Sequence, residues 1–276
     1  MDNARRQRSP LTTGVVVASL VFLFAPLLVV VLFSFNSVGS LSLPFRGFSL
    51  RWYEQIFESE EFRSSIRSSA VVATATAVTT LVLGTLAAYA LSKARSRWRA
   101  PLALLLFLPL TLPGLFIGLA LLVLFGRVDV SLSLTTVTIA HLVYVMPYFL
   151  LIALAALQRL DPALEEAGAD LGANGWLVFT RVTLPQVWPV LMGATFLGFA
   201  LSFDEFVITF FVIGPQSTLP LFIFSSLRRT VDPSINAIST LLLLISLVLF
   251  AGSFVLTLRG DRRGVIAPAG DREPAP

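Results

Sequence analysis

Few side chains in this chain can do chemistry, and those present exclude most enzymes. The 276 residues contain no cysteine, one histidine, His141, and one lysine, Lys93. Thiolate nucleophiles and cysteine metal sites are therefore ruled out. A lone histidine with no obvious ligand partners gives no metal centre. A P-loop needs a glycine-rich turn followed by Lys and Ser/Thr, whereas Lys93 sits between Ser92 and Ala94. Intramembrane proteolysis needs a nucleophile and a base held together, and no G-x-S-G sequence occurs. No residue reads as catalytic. His141, in "AHLVYVMPYF", reads as a locally hydrogen-bonded helix residue.

Two acids stand out instead. Asp204 and Glu205, in "GFALSFDEFVITFF", are adjacent carboxyls within an apolar run, and charge inside a membrane span is costly enough to mark function. Consecutive helix positions lie about 100° apart, so one acid can line a pathway or gate while its neighbour pairs at a contact. Ser202 is close to them, and Asn236, Ser239 and Thr240 place small polar groups at the start of the last apolar run. These six are candidates for a translocation path, although ordinary helix packing uses the same small polar types.

The strongest local pattern is polar. Residues 157–189 read "LQRLDPALEEAGADLGANGWLVFTRVTLPQVWP". Asp161 followed by Pro162 is a helix start, since Asp caps and Pro suits the first helical position. Glu165 and Glu166 then lie near the positive end of that helix. Ala163, Leu164, Ala167 and Leu171 form an apolar stripe. Gly172, Asn174 and Gly175 allow a tight reversal, and "WLVFTRVTL" begins a second helix. Trp176 and Phe179, beside the turn, supply apolar surface for a partner or an anchor against neighbouring spans. The product is a short helix-turn-helix that a partner can grip.

Long apolar runs must position these groups. Hydrophobic residues make up 56% of the chain and charged residues 13%, with a mean hydropathy of +0.85, against roughly 25% charged in soluble proteins. That composition excludes a soluble fold, a disordered chain and a nucleic-acid-binding domain. A spanning helix needs about 20 apolar residues, and six candidates occur, at 11–35, 66–91, 101–125, 134–157, 187–213 and 235–258. Residues 1–10 and 259–276 form terminal tails, and 158–185 is the long polar connection. The first run is too long for a signal peptide and lacks a small-x-small cleavage site. Pro109, Pro113, Gly114 and Gly118 in the third run, and Pro147 in the fourth, mark non-ideal helices.

Six spans place both termini on one side. Assigning that side to the cytoplasm gives it thirteen of the twenty basic residues and leaves seven outside, as the positive-inside rule favours. The net charge of +4 and pI near 10.1 are thus a topology signal rather than a sign of nucleic-acid binding.

At this point the chain resembles a known family. Glu166-Ala167-Gly168, then Gly172, then Val182-x-Leu184-Pro185, is similar to the EAA loop of binding-protein-dependent ABC importer permeases. Gly168 stands at the second alanine of that pattern and Val182 at its isoleucine. The stretches "VVLFSFNS", "PLTLPGLFIGLALL", "LSFDEFVITFFVIGPQSTLPLFIFSSLRR" and "VDPSINAISTLLLL" resemble the spermidine/putrescine branch. The resemblance implies an all-α type I permease fold with six transmembrane helices, in a bacterial inner membrane, both termini cytoplasmic. It also implies a second homologous permease chain in a heterodimer, two cytoplasmic ABC ATPases that bind ATP and Mg, and an external solute-binding protein. This chain itself would bind no cofactor. Glu166, Ala167, Gly168, Gly172, Trp176, Leu184 and Pro185 would form the ATPase-coupling surface. The expected cargo is a polyamine or another small solute; a secondary transporter and a membrane scaffold are the remaining alternatives.

Overall fold

The computed structural model describes residues 10–37, 45, 47–94, 96–229 and 234–264. Most of both expected tails, together with Arg95, lies outside them. The described elements are helical: α1 (Pro10–Ser34), α2 (Arg51–Glu58), α3 (Glu60–Lys93), α4 (Ser96–Phe107), α5 (Gly114–Arg127), α6 (Leu134–Gln158), α7 (Pro162–Asp170), α8 (Gly175–Val178), α9 (Leu184–Phe203), α10 (Val207–Val212), α11 (Leu219–Arg229) and α12 (Ser234–Gly264). A 3-10 turn, Leu108–Thr111, follows α4, and a π-helical turn, Phe179–Thr183, joins α8 to α9.

Among the described residues, five helical stretches are long and apolar enough to cross a bilayer: Thr13–Ser34, Glu60–Lys93, Leu134–Gln158, Gly175–Phe203 and Ser234–Gly252. A sixth span exists only if two helices are counted together. Arg97–Thr111 and Gly114–Arg127 meet the same criterion as a pair but bend by 105°. The expected third span is therefore two helices, and the prolines explain the break. Pro113 disfavours helical backbone at Leu112, which is extended at φ −99° and ψ 130°. Pro147, by contrast, sits inside an unbroken α6.

The described residues divide into two compact units. One comprises residues up to Arg63 with Ile223–Leu244; the other comprises Ser64–Phe222 and the chain from Ile245. In the first, Asn36 and Phe48 form an antiparallel bridge, and Trp52 Nε1 donates to the Asn36 carbonyl at 2.7 Å. Trp52 is thereby buried, and Tyr53 meets Ser34 Oγ at 2.7 Å. The segment after α1 is thus tied back onto the end of α1.

The second unit contains two apolar clusters. Ala88 and Leu91 of α3, Phe149 and Ala153 of α6, and Val187 and Leu191 of α9 form one. Val72 of α3, Ile117 and Phe125 of α5, Val137 and Ala140 of α6, and Ile208 and Val212 of α10 form the other. Large apolar side chains remain exposed along α1, α3 and α12. In water such continuous exposure would be a liability; in a bilayer it is the solvated surface.

The fifth span departs from expectation at both ends. Instead of 187–213, the helical run begins at Gly175 and stops at Phe203. Pro185 has no N–H, and its ring crowds the carbonyl one turn back. The chain widens there, so that the Leu184 N–H reaches the Phe179 carbonyl across five residues. A π turn of this kind is rare and frequents functional sites.

Candidate functional site: a coupling loop and a broken span

The polar connection is built by local capping. Asp161 accepts from the Ala163 N–H at 3.0 Å, with Pro162 at the first position of α7. At the other end, the Gly172 N–H donates to the Ala169 carbonyl at 2.9 Å and Ala173 N–H to the Gly168 carbonyl at 3.2 Å. This pair of bonds is a Schellman motif. It requires a left-handed residue, and Gly172 has φ +84°. Asn174 then caps α8 by accepting from the Leu177 N–H at 2.9 Å. The helix-turn-helix expected from sequence is present.

No residue of α7 is buried. The stripe of Ala163, Leu164, Ala167 and Leu171 faces outward, and Leu171 is 89% exposed. Trp176 is 65% exposed while Phe179 is buried, with ring centroids 5.5 Å apart. Phe179 in turn lies 4.5 Å from Tyr89 of α3. Of the two roles expected for these aromatics, Phe179 anchors and Trp176 presents surface. Glu166, Gly172 and Pro185 are also exposed, whereas Ala167, Gly168 and Leu184 range from exposed to half-buried.

The neighbouring acid, Glu165, stands outside the coupling set expected from the resemblance. Glu165 forms an ion pair with Lys93 and accepts from Thr183 Oγ1 at 2.7 Å. Partial burial would raise its carboxyl, but the hydrogen bonds from Lys93 and Thr183 and the Lys93 charge outweigh that and hold it below the usual carboxylate value.

The second site lies at the break between α9 and α10. Asp204 and Glu205 are not successive residues of one helix. Asp204 closes α9, its N–H donating to the Ala200 carbonyl at 3.1 Å. Glu205 opens α10, accepting at 3.0 Å from the N–H groups of both Ile208 and Thr209, one on each carboxylate oxygen. A helix break rather than a 100° step separates the two acids.

His141 supports the break. It is 1% exposed, with Nδ1 2.7 Å from Ser202 Oγ and Nε2 2.9 Å from Thr209 Oγ1. A neutral imidazole has one donor and one acceptor nitrogen, so the ring can satisfy both hydroxyls. Its Nε2 is also 3.7 Å from Glu205 Oε2. The partners come from α9 and α10, so the expectation of a local hydrogen bond is corrected. Ser202 belongs to this buried set rather than to an open path.

Asp204 is placed differently. Its Oδ2 accepts from Ser246 Oγ of α12 at 2.7 Å, and its Oδ1 has no hydrogen-bond partner among the described residues. Asp204 and Glu205 line a recess of about 290 Å³ with Tyr144, Ala200, Leu201, Phe206, Val207 and Phe250. Asn236, Ser239 and Thr240 belong to the first unit. Thr240 is buried and donates to the Asn236 carbonyl at 2.7 Å, a back-bond within α12.

The profile of the family described as binding-protein-dependent transport system inner membrane component matches residues 80–263. The chain belongs to this family. The putrescine transport system permease protein PotI of Escherichia coli (strain K12) is 36% identical over 251 residues, 88% of this chain and 89% of that protein. The spermidine/putrescine permease protein PotC of the same organism is 29% identical over 241 residues, covering 87% and 91%. Among solved structures, a bacterial ABC transporter that imports the acidic polysaccharide alginate aligns with TM-score 0.70 at 16% identity, covering 89% and 93%. The MetNI methionine ABC transporter aligns at TM-score 0.57 and 16% identity, covering 75% and 97%.

The protein is thus a permease subunit of an ABC importer with the type I fold. In the permease, the matched region contains both the polar loop and the broken span. The residues outside the sets expected from sequence are Glu165, Thr183 and Thr209. An acid at the positive end of a short helix and hydroxyls facing a helix break were the available signals.

Proposed function

We propose that this permease imports a protonated di- or polyamine of the putrescine/spermidine class. The observation that carries the substrate reading is the 36% identity, over nearly the full length of both chains, to a putrescine permease. The fold alone would not choose a cation, since a protein of the same fold is named for import of an acidic polysaccharide. The chemistry of the recess supports the choice. Asp204 lines the recess with Tyr144, Phe206 and Phe250, its Oδ1 is buried without a hydrogen-bond partner among the described residues, and ammonium groups favour both carboxylates and aromatic faces. Glu205 is committed to the backbone of α10 and serves as structure.

The rest of the machine lies in other chains. A second, homologous permease chain completes the pathway, and an external solute-binding protein delivers cargo. Two cytoplasmic ATPases bind ATP and magnesium and seat α7 through Leu171, Trp176 and the exposed Glu166. Both termini lie in the cytoplasm of a bacterial inner membrane. ATP binding closes the ATPase pair, moves α7 and opens the recess outward; hydrolysis resets the inward-facing state. This alternating access follows from differential binding to two states.

Reconstitution tests the reading. The assembled importer in proteoliposomes, with ATP enclosed, should accumulate labelled putrescine or spermidine. Asp204→Asn should weaken uptake through a raised KM while ATPase subunits still co-purify. Uptake that ignores polyamines but follows another solute would overturn the substrate. Full activity without any ATPase would overturn the importer mechanism and favour a secondary transporter.

A further inference from the structure

Glu165 precedes the acid singled out by the EAA pattern and is the more engaged of the two. One carboxylate oxygen pairs with Lys93, in the last turn of α3. The other accepts from Thr183 Oγ1, in the π turn that leads into α9. Thr183 is fully buried, so its hydroxyl has little room to follow a displaced acid. A row of aromatics runs alongside: Lys93 Nζ lies 5.7 Å from the Tyr89 ring centre, and the Tyr89 and Phe179 rings pack at a tilt with centres 4.5 Å apart. One side chain of α7 is therefore bound to two elements far apart in sequence, each continuous with a spanning helix.

Exposed ion pairs usually contribute little to stability, and Lys93 is half exposed. The geometry points to another use. Because each oxygen is committed to a different element, α7 cannot shift against either one without breaking a charge-assisted bond. Displacing α7 without breaking them must carry the end of α3 and the start of α9 with it. We propose that Lys93, Glu165 and Thr183 form a transmission clamp that passes motion of α7 to both spans. None of the three need touch nucleotide or cargo; they are positioning residues. The inference rests on the reading of α7 as the ATPase contact.

The test measures uptake and ATP hydrolysis together in the assembled importer, in proteoliposomes containing ATP and supplied with the solute-binding protein. Wild type comes first: absence of ATP-driven uptake there would defeat the importer reading itself, independently of the clamp. Given an active wild type, Glu165→Ala should lower solute moved per ATP by at least about fivefold, a typical size for coupling between sites. Hydrolysis and ATPase co-purification should stay within about twofold. Thr183→Val, which keeps the shape of the side chain, should lower the ratio in the same direction and guards against a fold defect in the alanine variant. Lys93→Glu should uncouple, and combining it with Glu165→Lys should restore most of the ratio. An unchanged ratio in both Glu165→Ala and Thr183→Val would overturn the clamp. So would an exchanged pair no better coupled than Lys93→Glu alone.

Discussion

Replacing His141 with Leu removes the centre of the contacts that hold the broken fifth span. The two hydroxyls it meets do not suffer equally. Thr209 Oγ1 keeps the Glu205 carbonyl at 3.1 Å and Glu205 Oε2 at 3.4 Å, so it loses one contact of three, about 0.5–1.5 kcal/mol. Ser202 is buried and has His141 as its only hydrogen-bond partner among the described residues; orphaning it costs about 1–3 kcal/mol. Polar pairs between membrane helices average only about 0.6 kcal/mol, because unfolded segments in lipid find other partners. Here the hydroxyls face protein, which favours a combined loss of roughly 2–4 kcal/mol. Each kcal/mol lowers the melting temperature of a chain this long by about 2–4 °C. The purified permease should therefore melt roughly 5–15 °C lower. The decisive arm is Ser202→Ala combined with His141→Leu. Removing the orphaned hydroxyl should recover about 1 kcal/mol relative to His141→Leu alone. Penalties that simply add would refute the pairing and the account of the break built on it.

Other perturbations address the loop and the packing of α5. Gly172→Ala forces a side chain into a left-handed conformation with φ +84°, costing about 1–2 kcal/mol; hydrogen exchange at Ala173 should quicken by roughly 5–30-fold. Gly168→Ala should do the reverse. Its new methyl would lie 3.4 and 3.6 Å from methyls of Val178 and Val182, an ordinary contact, and the helix gains about 0.5–1 kcal/mol, read as slower exchange across α7. Gly118→Ala would place a methyl 2.9 Å from the Phe211 ring and 3.2 Å from Ile208 Cα, so overpacking should destabilise by about 1–3 kcal/mol, read as a lower melting temperature. Because the Glu165 carboxyl is held below its usual 4.5, its stabilising contribution is present above that pH and lost as pH falls through its folded value. The stability gap between wild type and Glu165→Gln should accordingly be level from pH 7 to about 5 and close below about 4.5.

What was legible in the sequence follows the range of the interactions. Asp161 with Pro162, Gly172 and Asn174 act on backbone within a few residues, so their types announced the two helices and the turn. Partners of Glu165 and His141 are far away: Lys93 is 72 positions from Glu165, and Ser202 and Thr209 are 61 and 68 from His141. No local pattern reports such a pair. The stripe in α7 was visible, but apolar periodicity looks the same whether a helix faces its own core or a partner. The fifth span was overextended because Phe206, Val207 and Ile208 continue its hydropathy. Hydropathy records where chain can sit in lipid and is blind to a break satisfied inside the protein.

That break and the one in the third span act on each other. Non-helical backbone at membrane depth persists only where protein satisfies its polar groups. At residues 204–206 this is done by Glu205, with His141, Ser202 and Thr209 around it. Beyond the break, α10 lies against α5, the helix that begins just after the 105° bend. Gly118 lets the two approach until a methyl there would meet both the Phe211 ring and the Ile208 backbone, while a methyl at Gly114 would touch the Ile208 side chain and come within 3.9 Å of Glu205 Oε1. The second half of each interrupted helix is thus packed on the other, and Thr136 Oγ1 ties the far end of α10 to α6 through the Val212 carbonyl at 2.7 Å. Asp204 sits at the end of α9, and past the break α10 is held by α5 and α6 together. Asp204, which closes α9, and Glu205, which holds the start of α10, therefore stand on opposite sides of the break. Their adjacency in sequence puts the carboxyl that reaches Ser246 of α12 one residue from the carboxyl that fixes where the helix breaks.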